Sequence, residues 1–419
     1  MPHKKHTLET ILFLSMFALT TFLASAPASA QTPTILHSFN GAGGVDGYNP
    51  NGTLVADNLG NLYGTTTYGG TYNVVDCCGT VFELSPNGSG GFNYSILYSF
   101  NPNDKDGNYP SPTVILDGNG NLYGTTSAGG TVDQGTVFEL SPQSCGTWKE
   151  TILYNFIRNG GDGQEPMAGL TMDPKGNLYG TTFLSSTGCG CGTVFELAKS
   201  GAAFSYKTIY TFTGYPDDGK APNSVLTFHD GKLFGVTAFG GAYGAYDGAI
   251  FELSPNGSGG WTESLIHSFG SSNSDSTPSI ATVVFDSSGN LYGTTYFGGA
   301  YGIGSVYKLS PSSDGSWSDT LLFSFDGTNG DGPDYGALIF DAKGNLYGTT
   351  QVGGADGDGA VYELTPAGEA WTQTFLASFD GTDGNFAYGG VVFGPGGNLY
   401  GTTEYGGTHD GGVVYQIKP

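Results

Sequence analysis

The stretch Gly-Asn-Leu-Tyr-Gly-Thr-Thr at 120–126, followed by Gly129-Gly130, recurs along the whole chain and constrains it more than any other feature. Copies open at Asn61, Asn121, Asn177, Lys232, Asn290, Asn345 and Asn398, at successive spacings of 60, 56, 55, 58, 55 and 53 residues. A period near fifty-five, kept over 419 residues, describes an array of one supersecondary unit. Most residues that a motif search would notice are then repeat residues, present for packing.

Each unit holds four strand-like runs. The first is short, apolar and usually ends on an Asp, as in Val114-Ile-Leu-Asp117 or Leu338-Ile-Phe-Asp341. A continuous apolar run of this kind predicts a strand buried on both faces. A turn rich in Gly and Asn leads into the recurring stretch as the second strand, whose Gly is expected to let a neighbouring sheet approach closely. The third strand reads Val81-Phe-Glu-Leu84 and its counterparts, and five copies stop at Ser-Pro or Thr-Pro. The fourth begins on an aromatic and closes on a Phe eight residues later, as in Trp148/Phe156 and Trp261/Phe269.

The chain also opens on an orphan fourth strand, Ile35-Leu-His-Ser-Phe39, and ends just after an orphan third strand, Val414-Tyr-Gln-Ile417. Seven strands of each kind close a ring only if the termini share the last blade. Closure removes the sheet edges that an open β-solenoid, the alternative arrangement, would present. The predicted fold is therefore all-β, a seven-bladed β-propeller of four-stranded blades with a one-strand N-terminal clasp.

Lys4 and Lys5, the apolar run Ile11 to Ala24 and Ala28-Ser29-Ala30 make residues 1–30 a secretory signal, with the propeller domain over 31–419. The expected protein is exported, extracellular or periplasmic, monomeric, and without a membrane span in its mature part. A formal charge of −24 disfavours nucleic acid as a partner, because no basic stripe exists to neutralise phosphates. Five cysteines are an odd number, so at least one thiol is left over. Cys77-Cys78 and Cys189-Gly190-Cys191 fall in the same loop of the first and third units and lack zinc-site spacing, leaving local disulfides or free thiols.

Up-and-down strand order sorts the loops by face. One face carries short structural turns. The other carries the inter-blade loops with Asp-Gly motifs and the loops after the Gly pair, rich in aromatics. Candidate ligand-binding residues there are Tyr68, Tyr72, Phe239, Tyr243, Phe297, Tyr301 and Tyr405, with the off-pattern pair His409 and Asp410. Tyr246 lies in the same set of loops. Exposed aromatics beside carboxylates suit sugar rings, so a carbohydrate is the expected ligand class; packing between blades is the structural alternative. Asp104, Asp106 and Asn108, and Asp356 with Asp358, resemble fragments of oxygen-ligand calcium loops without the downstream bidentate Glu. They make a calcium-stabilised structural module a further reading, and no other cofactor is expected.

No catalytic constellation is readable. The recurring Glu of the third strand (Glu83, Glu139, Glu196, Glu252, Glu363) gives way to Lys308 and Gln416 in two units, which suits hydrogen bonding better than chemistry. His37 and His267 stand where other units have Tyr. A polysaccharide lyase or glycoside hydrolase, the alternative to a non-enzymatic binding module, predicts an off-repeat cluster of Asp, Glu, His and Tyr at one channel mouth.

The unit Asp-Gly-x-x-Pro, Leu-x-x-Asp-x-x-Gly-Asn-Leu-Tyr-Gly-Thr-Thr-x-x-Gly-Gly, Gly-Thr-Val-Phe-Glu-Leu-Ser-Pro resembles the GloVer tandem repeat of bacterial "choice-of-anchor" exported proteins, over residues 34–417. The resemblance implies export and a repeat propeller and brings no established activity. The Gly-Gly pair and downstream Trp give a looser likeness to kelch-type blades.

Overall fold

The computed structural model describes residues 30–419 except 73–75, 102–104, 159–160, 272–277, 279 and 369. The predicted signal segment falls almost wholly on 1–29, outside the described residues. The rest forms seven antiparallel blades arranged as a propeller. The first blade runs Val55–Ala56, Leu62–Thr66, Thr80–Pro86 and Phe92–Ser99 from the axis outward. The last is built from both termini: Thr34–Ser38 pairs with Val413–Ile417, outside Leu399–Thr403 and Val392–Phe393. Gln31 continues the clasp by donating its backbone N–H to Leu376 of the sixth blade at 3.0 Å.

The first strand differs from expectation. It is two residues long in six blades and three in the fourth, and its residues are half-buried. Burial belongs to the apolar residue just before or at its start, Leu54, Val114, Leu170, Leu226, Val283, Leu338 and Val391, each at most 2% exposed. Seven strands crowd the narrow axis there, so little length is available for pairing.

The core lies between blades. In one such cluster Tyr63, Val81 and Phe100 of the first blade pack on Val114, Leu122, Phe138 and Leu140 of the second. The ring of the recurring stretch meets the aromatic that opens the fourth strand of the next blade, as Tyr63 on Trp148, Tyr179 on Trp261 and Tyr292 on Trp371, except in the sixth blade, where Tyr347 meets Phe393. Tyr400 meets Phe92 at 5.8 Å and carries the series across the seam from blade seven to blade one.

The Gly of the recurring stretch serves a purpose other than sheet approach. Gly180 pairs across strands with Phe195, and a Cβ there would lie 2.5 Å from Phe195 Cζ and 2.9 Å from Leu170 Cδ2. The third-strand aromatic folds over its opposite glycine in every blade, with Gly64 under Phe82 and Gly401 under Tyr415. The third-strand Glu is a hydrogen-bonding residue: Tyr179 and Tyr347 donate to Glu196 and Glu363 at 3.0 and 2.9 Å, and Lys232 bonds Glu252 at 2.7 Å. On the structural face, Asp57, Asp117, Asp173, Asp286 and Asp341 each accept from the backbone and side chain of the Asn four residues on, closing the turn.

A bulge recurs in the fourth strand of all seven blades, between Ile96 and Tyr98 in the first. It turns Tyr98, Tyr154 and Tyr210 toward the next blade, where their hydroxyls reach Asp106, Asp162 and Asp218 at 2.8, 3.1 and 2.9 Å. His37 reaches Asp46 in the same way at 3.1 Å. The Asp of the Asp-Gly motif thus ties consecutive blades together.

Behind two of these ties sits a second carboxyl, Glu150 beside Asp106 and Glu263 beside Asp218, each pushed up to about 7 by burial and then by the neighbouring Asp. From pH 4.5, the ordinary Glu value, to about 7, the folded protein keeps protons that the unfolded chain has released, so stability falls as pH rises through that window. Glu150→Gln with Glu263→Gln should therefore raise thermal stability above pH 7, by about 1–2 kcal/mol per site once partial exposure is discounted, and leave it unchanged below pH 4.5. Melts of both proteins across pH 4–8 test this; a difference independent of pH would remove these groups as its cause.

Candidate functional site

The channel opens on the face that carries the Asp-Gly loops, and its mouth is built by two positions in each blade. One follows the paired threonines of the second strand. The first threonine anchors that strand to the next blade, as Thr65 Oγ1 does on the Ser111 carbonyl at 2.9 Å. The second bonds within its blade, as Thr66 Oγ1 does with Thr80 Oγ1 at 2.8 Å. Strand alternation then sends the following residue to the mouth. The residues in that register are Thr67, Ser127, Phe183, Ala238, Tyr296, Gln351 and Glu404, of which Thr67 and Ser127 line the axial cavity and Glu404 the recess beside it. The scaffold on either side repeats; these do not.

The other position precedes the proline of the inter-blade loop, or Ala387 in the seventh blade, where no proline stands. Asn49, Tyr109, Glu165, Ala221 and Phe386 all sit near φ +55, a left-handed conformation that few non-glycine residues hold. Their N–H groups are held by carbonyls of the preceding blade, Tyr109 on Cys78 at 3.0 Å and Phe386 on Asp358 at 3.1 Å. Five copies of one strained conformation in the same loop mark a constraint, and such strain collects at functional sites. Downstream of the proline the chain lines the channel. Blades five and six have one residue more than the others between that proline and the buried apolar residue, so Tyr335 stands at the opening.

A cavity of about 220 Å³ runs along the axis, lined by Asn51, Thr53, Pro110, Thr113, Asn223, Ile280 and Tyr335 among others. Beside it a recess of about 160 Å³ is bounded by Asn51, Tyr335, Tyr388 and Glu404. Tyr335 and Tyr388 meet edge to face at 5.4 Å, and Gln351 Nε2 donates to the Tyr388 hydroxyl. Tyr388 stacks on Phe386, which meets Tyr405 at 5.9 Å. On the facing side Tyr68 packs between Tyr48 and Tyr109 at 5.3 and 5.8 Å.

Two carboxyls join these rings. Asn49 Nδ2 donates to Glu404 Oε1 at 3.3 Å, and burial raises Glu404 above the usual carboxylate range despite that bond. The charge of Glu404 is felt by Tyr68, Tyr335, Tyr388 and Tyr405, which places it between the two aromatic walls. Burial pushes Asp334 up to about 7, with the Ile280 N–H pulling the other way. The Tyr335 phenol is pushed up to about 12 by burial and then by Asp334. The cluster therefore supplies Asp, Glu and Tyr; His37, His229, His267 and His409 belong to other parts of the molecule.

Of the sequence candidates, Tyr68 and Tyr405 stand at this mouth, and Phe297 lies one step outward, its ring 4.5 Å from Tyr296. Phe239 is half-buried and meets Tyr246 at 6.2 Å. Tyr72, Tyr243 and Tyr301 are exposed on the outer loops, Tyr301 by 65%. His409 is exposed, and Asp410 accepts the Gly406 N–H at 2.8 Å to shape its own loop.

Among the calcium-loop fragments, Asp104 lies outside the described residues. Asp106 accepts from Tyr98, Asn101 and Gly107 at 2.8, 2.9 and 2.7 Å, and Asn108 Oδ1 accepts the Cys78 N–H at 2.8 Å. Asp356 is exposed and Asp358 half-buried. No group of three or more His, Cys, Asp or Glu positioned to hold a metal occurs among the described residues. Cys77–Cys78 and Cys189–Cys191 are local disulfides, and Cys145 is free and exposed.

The residue before each aromatic beside the Gly pair is the one that the sequence did not single out. Thr67 lines the axial cavity and Glu404 the recess, next to the aromatics that the sequence marked, Tyr68 and Tyr405. The signal was available in two forms: a variable position framed by constant threonines, and the extra residue after Pro333.

Fold and mouth together define a class, a closed seven-bladed repeat propeller with a non-repeating recess at one end of its channel. Within that class the chain belongs to the Gloeobacter/Verrucomicrobia repeat family, whose model matches residues 20–182, 144–313 and 246–419. No curated protein matches it significantly. Among the described residues no helix is long and apolar enough to cross a membrane.

Proposed function

We propose that this chain is a non-enzymatic carbohydrate-binding module of an exported protein and that its site is the channel mouth. The observation that carries the reading is the break in the repeat: seven equivalent positions hold Thr, Ser, Phe, Ala, Tyr, Gln and Glu on an otherwise uniform scaffold. Sugar rings offer C–H faces to Tyr335 and Tyr388, and hydroxyls to Asn51, Gln351 and Glu404. Rigid blades hold these groups in place before binding, which limits the ordering cost.

A glycan array followed by titration of the full chain tests this. Tyr388→Ala should weaken binding by about tenfold or more, and Tyr243→Ala on the outer loop should leave it unchanged. The opposite pattern, or no bound glycan, would sink the reading. A second reading, glycoside hydrolysis, is favoured by Asp334, whose near-neutral carboxyl has the protonation a general acid needs. Release of reducing ends by the wild type, lost in Asp334→Asn, would establish it in place of simple binding.

A further inference from the structure

We propose that the sugar selected at the mouth carries a free amine, so that the ligand is a hydroxyl-rich ammonium, an amino sugar that is not N-acylated. This rests on the carbohydrate reading above and narrows it. Glu404 sits between two walls of tyrosine with only the Asn49 amide and the approach of the Tyr405 hydroxyl to satisfy it. Asp334, next to Tyr335 in the chain, has a largely buried carboxyl at which the Ile280 N–H is directed. The ion pairs among the described residues are His37–Asp46, His229–Asp230 and Lys232–Glu252, all elsewhere. Among the described residues no Lys or Arg lines either the axial cavity or the recess.

A neutral sugar filling this space would strip water from the Glu404 carboxylate and return only hydroxyl hydrogen bonds. An ammonium group returns the missing charge. The rings add to the preference, because the faces of Tyr335 and Tyr388 attract a cation as well as a C–H face. At long range the formal charge of −24 draws cations and repels uronates and sulfated glycans. A calcium ion fits the walls poorly, since it wants six to eight oxygen ligands and the recess offers aromatic surface around its carboxylate. An organic cation fits both features.

The test compares two ligands of equal length, a glucosamine oligomer with free amines and its fully N-acetylated counterpart, each titrated into the full chain at pH 7. The free-amine oligomer should bind about tenfold tighter or more, and raised salt should narrow the gap. Glu404→Gln, with its melting temperature checked, should remove that advantage by weakening the free-amine oligomer about tenfold more than its acetylated counterpart; an equal loss for both ligands would overturn the charge as its cause. Equal or tighter binding of the acetylated form would overturn the ammonium assignment and leave carbohydrate binding standing. Binding of neither ligand at millimolar concentration, with a neutral glycan bound on the array, would also overturn it. No glycan bound at all would remove both readings. Glucosamine monomer is the remaining arm: affinity equal to the oligomer's points to a free amino sugar, and a weaker monomer to a polymer chain.

Discussion

A chain lacking residues 31–40 should fail to form a stable monomer. The seventh blade would keep three strands and expose the full length of Val413–Ile417 as an unpaired edge beside the hydrophobic residues that Thr34–Ser38 covers. Phe39 is fully buried with Phe82 and Val414, and removing such a ring alone costs about 3–5 kcal/mol. The Gln31 bond to blade six would go as well. The expected result is aggregation, or a melting temperature lowered by at least about 4–6 °C by a rough conversion of that loss. A rearranged chain makes the test specific. Appending residues 31–40 after Pro419 through a Ser-Pro-Asn-Gly-Ser-Gly turn, the connection used between third and fourth strands elsewhere, should restore monomer and stability. A truncated chain that stays monomeric with an unchanged melting curve would show that the ring does not depend on its clasp.

The clasp was legible because it rests on counting. Seven copies of a stretch, an orphan strand at each end and the regular eight-residue spacing from aromatic to Phe leave little freedom, and Thr34–Ser38 does pair with Val413–Ile417. The turn chemistry of Asp117-Gly-Asn-Gly120 was legible for a similar reason, since Asp and Asn at that spacing can only close on each other locally. The length of the first strand was not. Val114-Ile-Leu-Asp117 has the composition of a longer buried strand, and nothing in it records that seven such strands share one axis.

The site was harder to see because its residues take their role from register. Tyr405 and Glu404 are neighbours in sequence, and which of them lines the channel depends on the alternation set by Thr402 and Thr403 and on the bridge between Asn385 and Tyr405. An aromatic beside a glycine pair draws attention by type, while a single Glu among thirty-seven acidic residues does not. The role of the Asp-Gly motif was hidden in the same way. Its partner Tyr98 lies eight residues earlier and reaches it only because a bulge turns the strand.

Gly180→Val should be among the most damaging single substitutions in the molecule, although Gly180 lies far from the mouth. Its backbone is outside the left-handed region, so any residue could adopt it; the obstacle is space. A Cβ 2.5 Å from Phe195 Cζ and 2.9 Å from Leu170 Cδ2 must displace a ring that is itself fully buried between blades. Overpacking of this kind costs about 1–3 kcal/mol, and a branched side chain in a rigid sheet belongs at the upper end, a melting shift of roughly 3–4 °C in a chain of this length. The pairing makes a further demand. Phe195→Ala alone should cost about 3–5 kcal/mol by leaving a cavity, but it also empties the space that Val needs. The double variant should then be no less stable than Phe195→Ala, a coupling of at least about 1 kcal/mol in a double-mutant cycle. Additive losses would mean that the recurring glycine is required for something other than the ring above it.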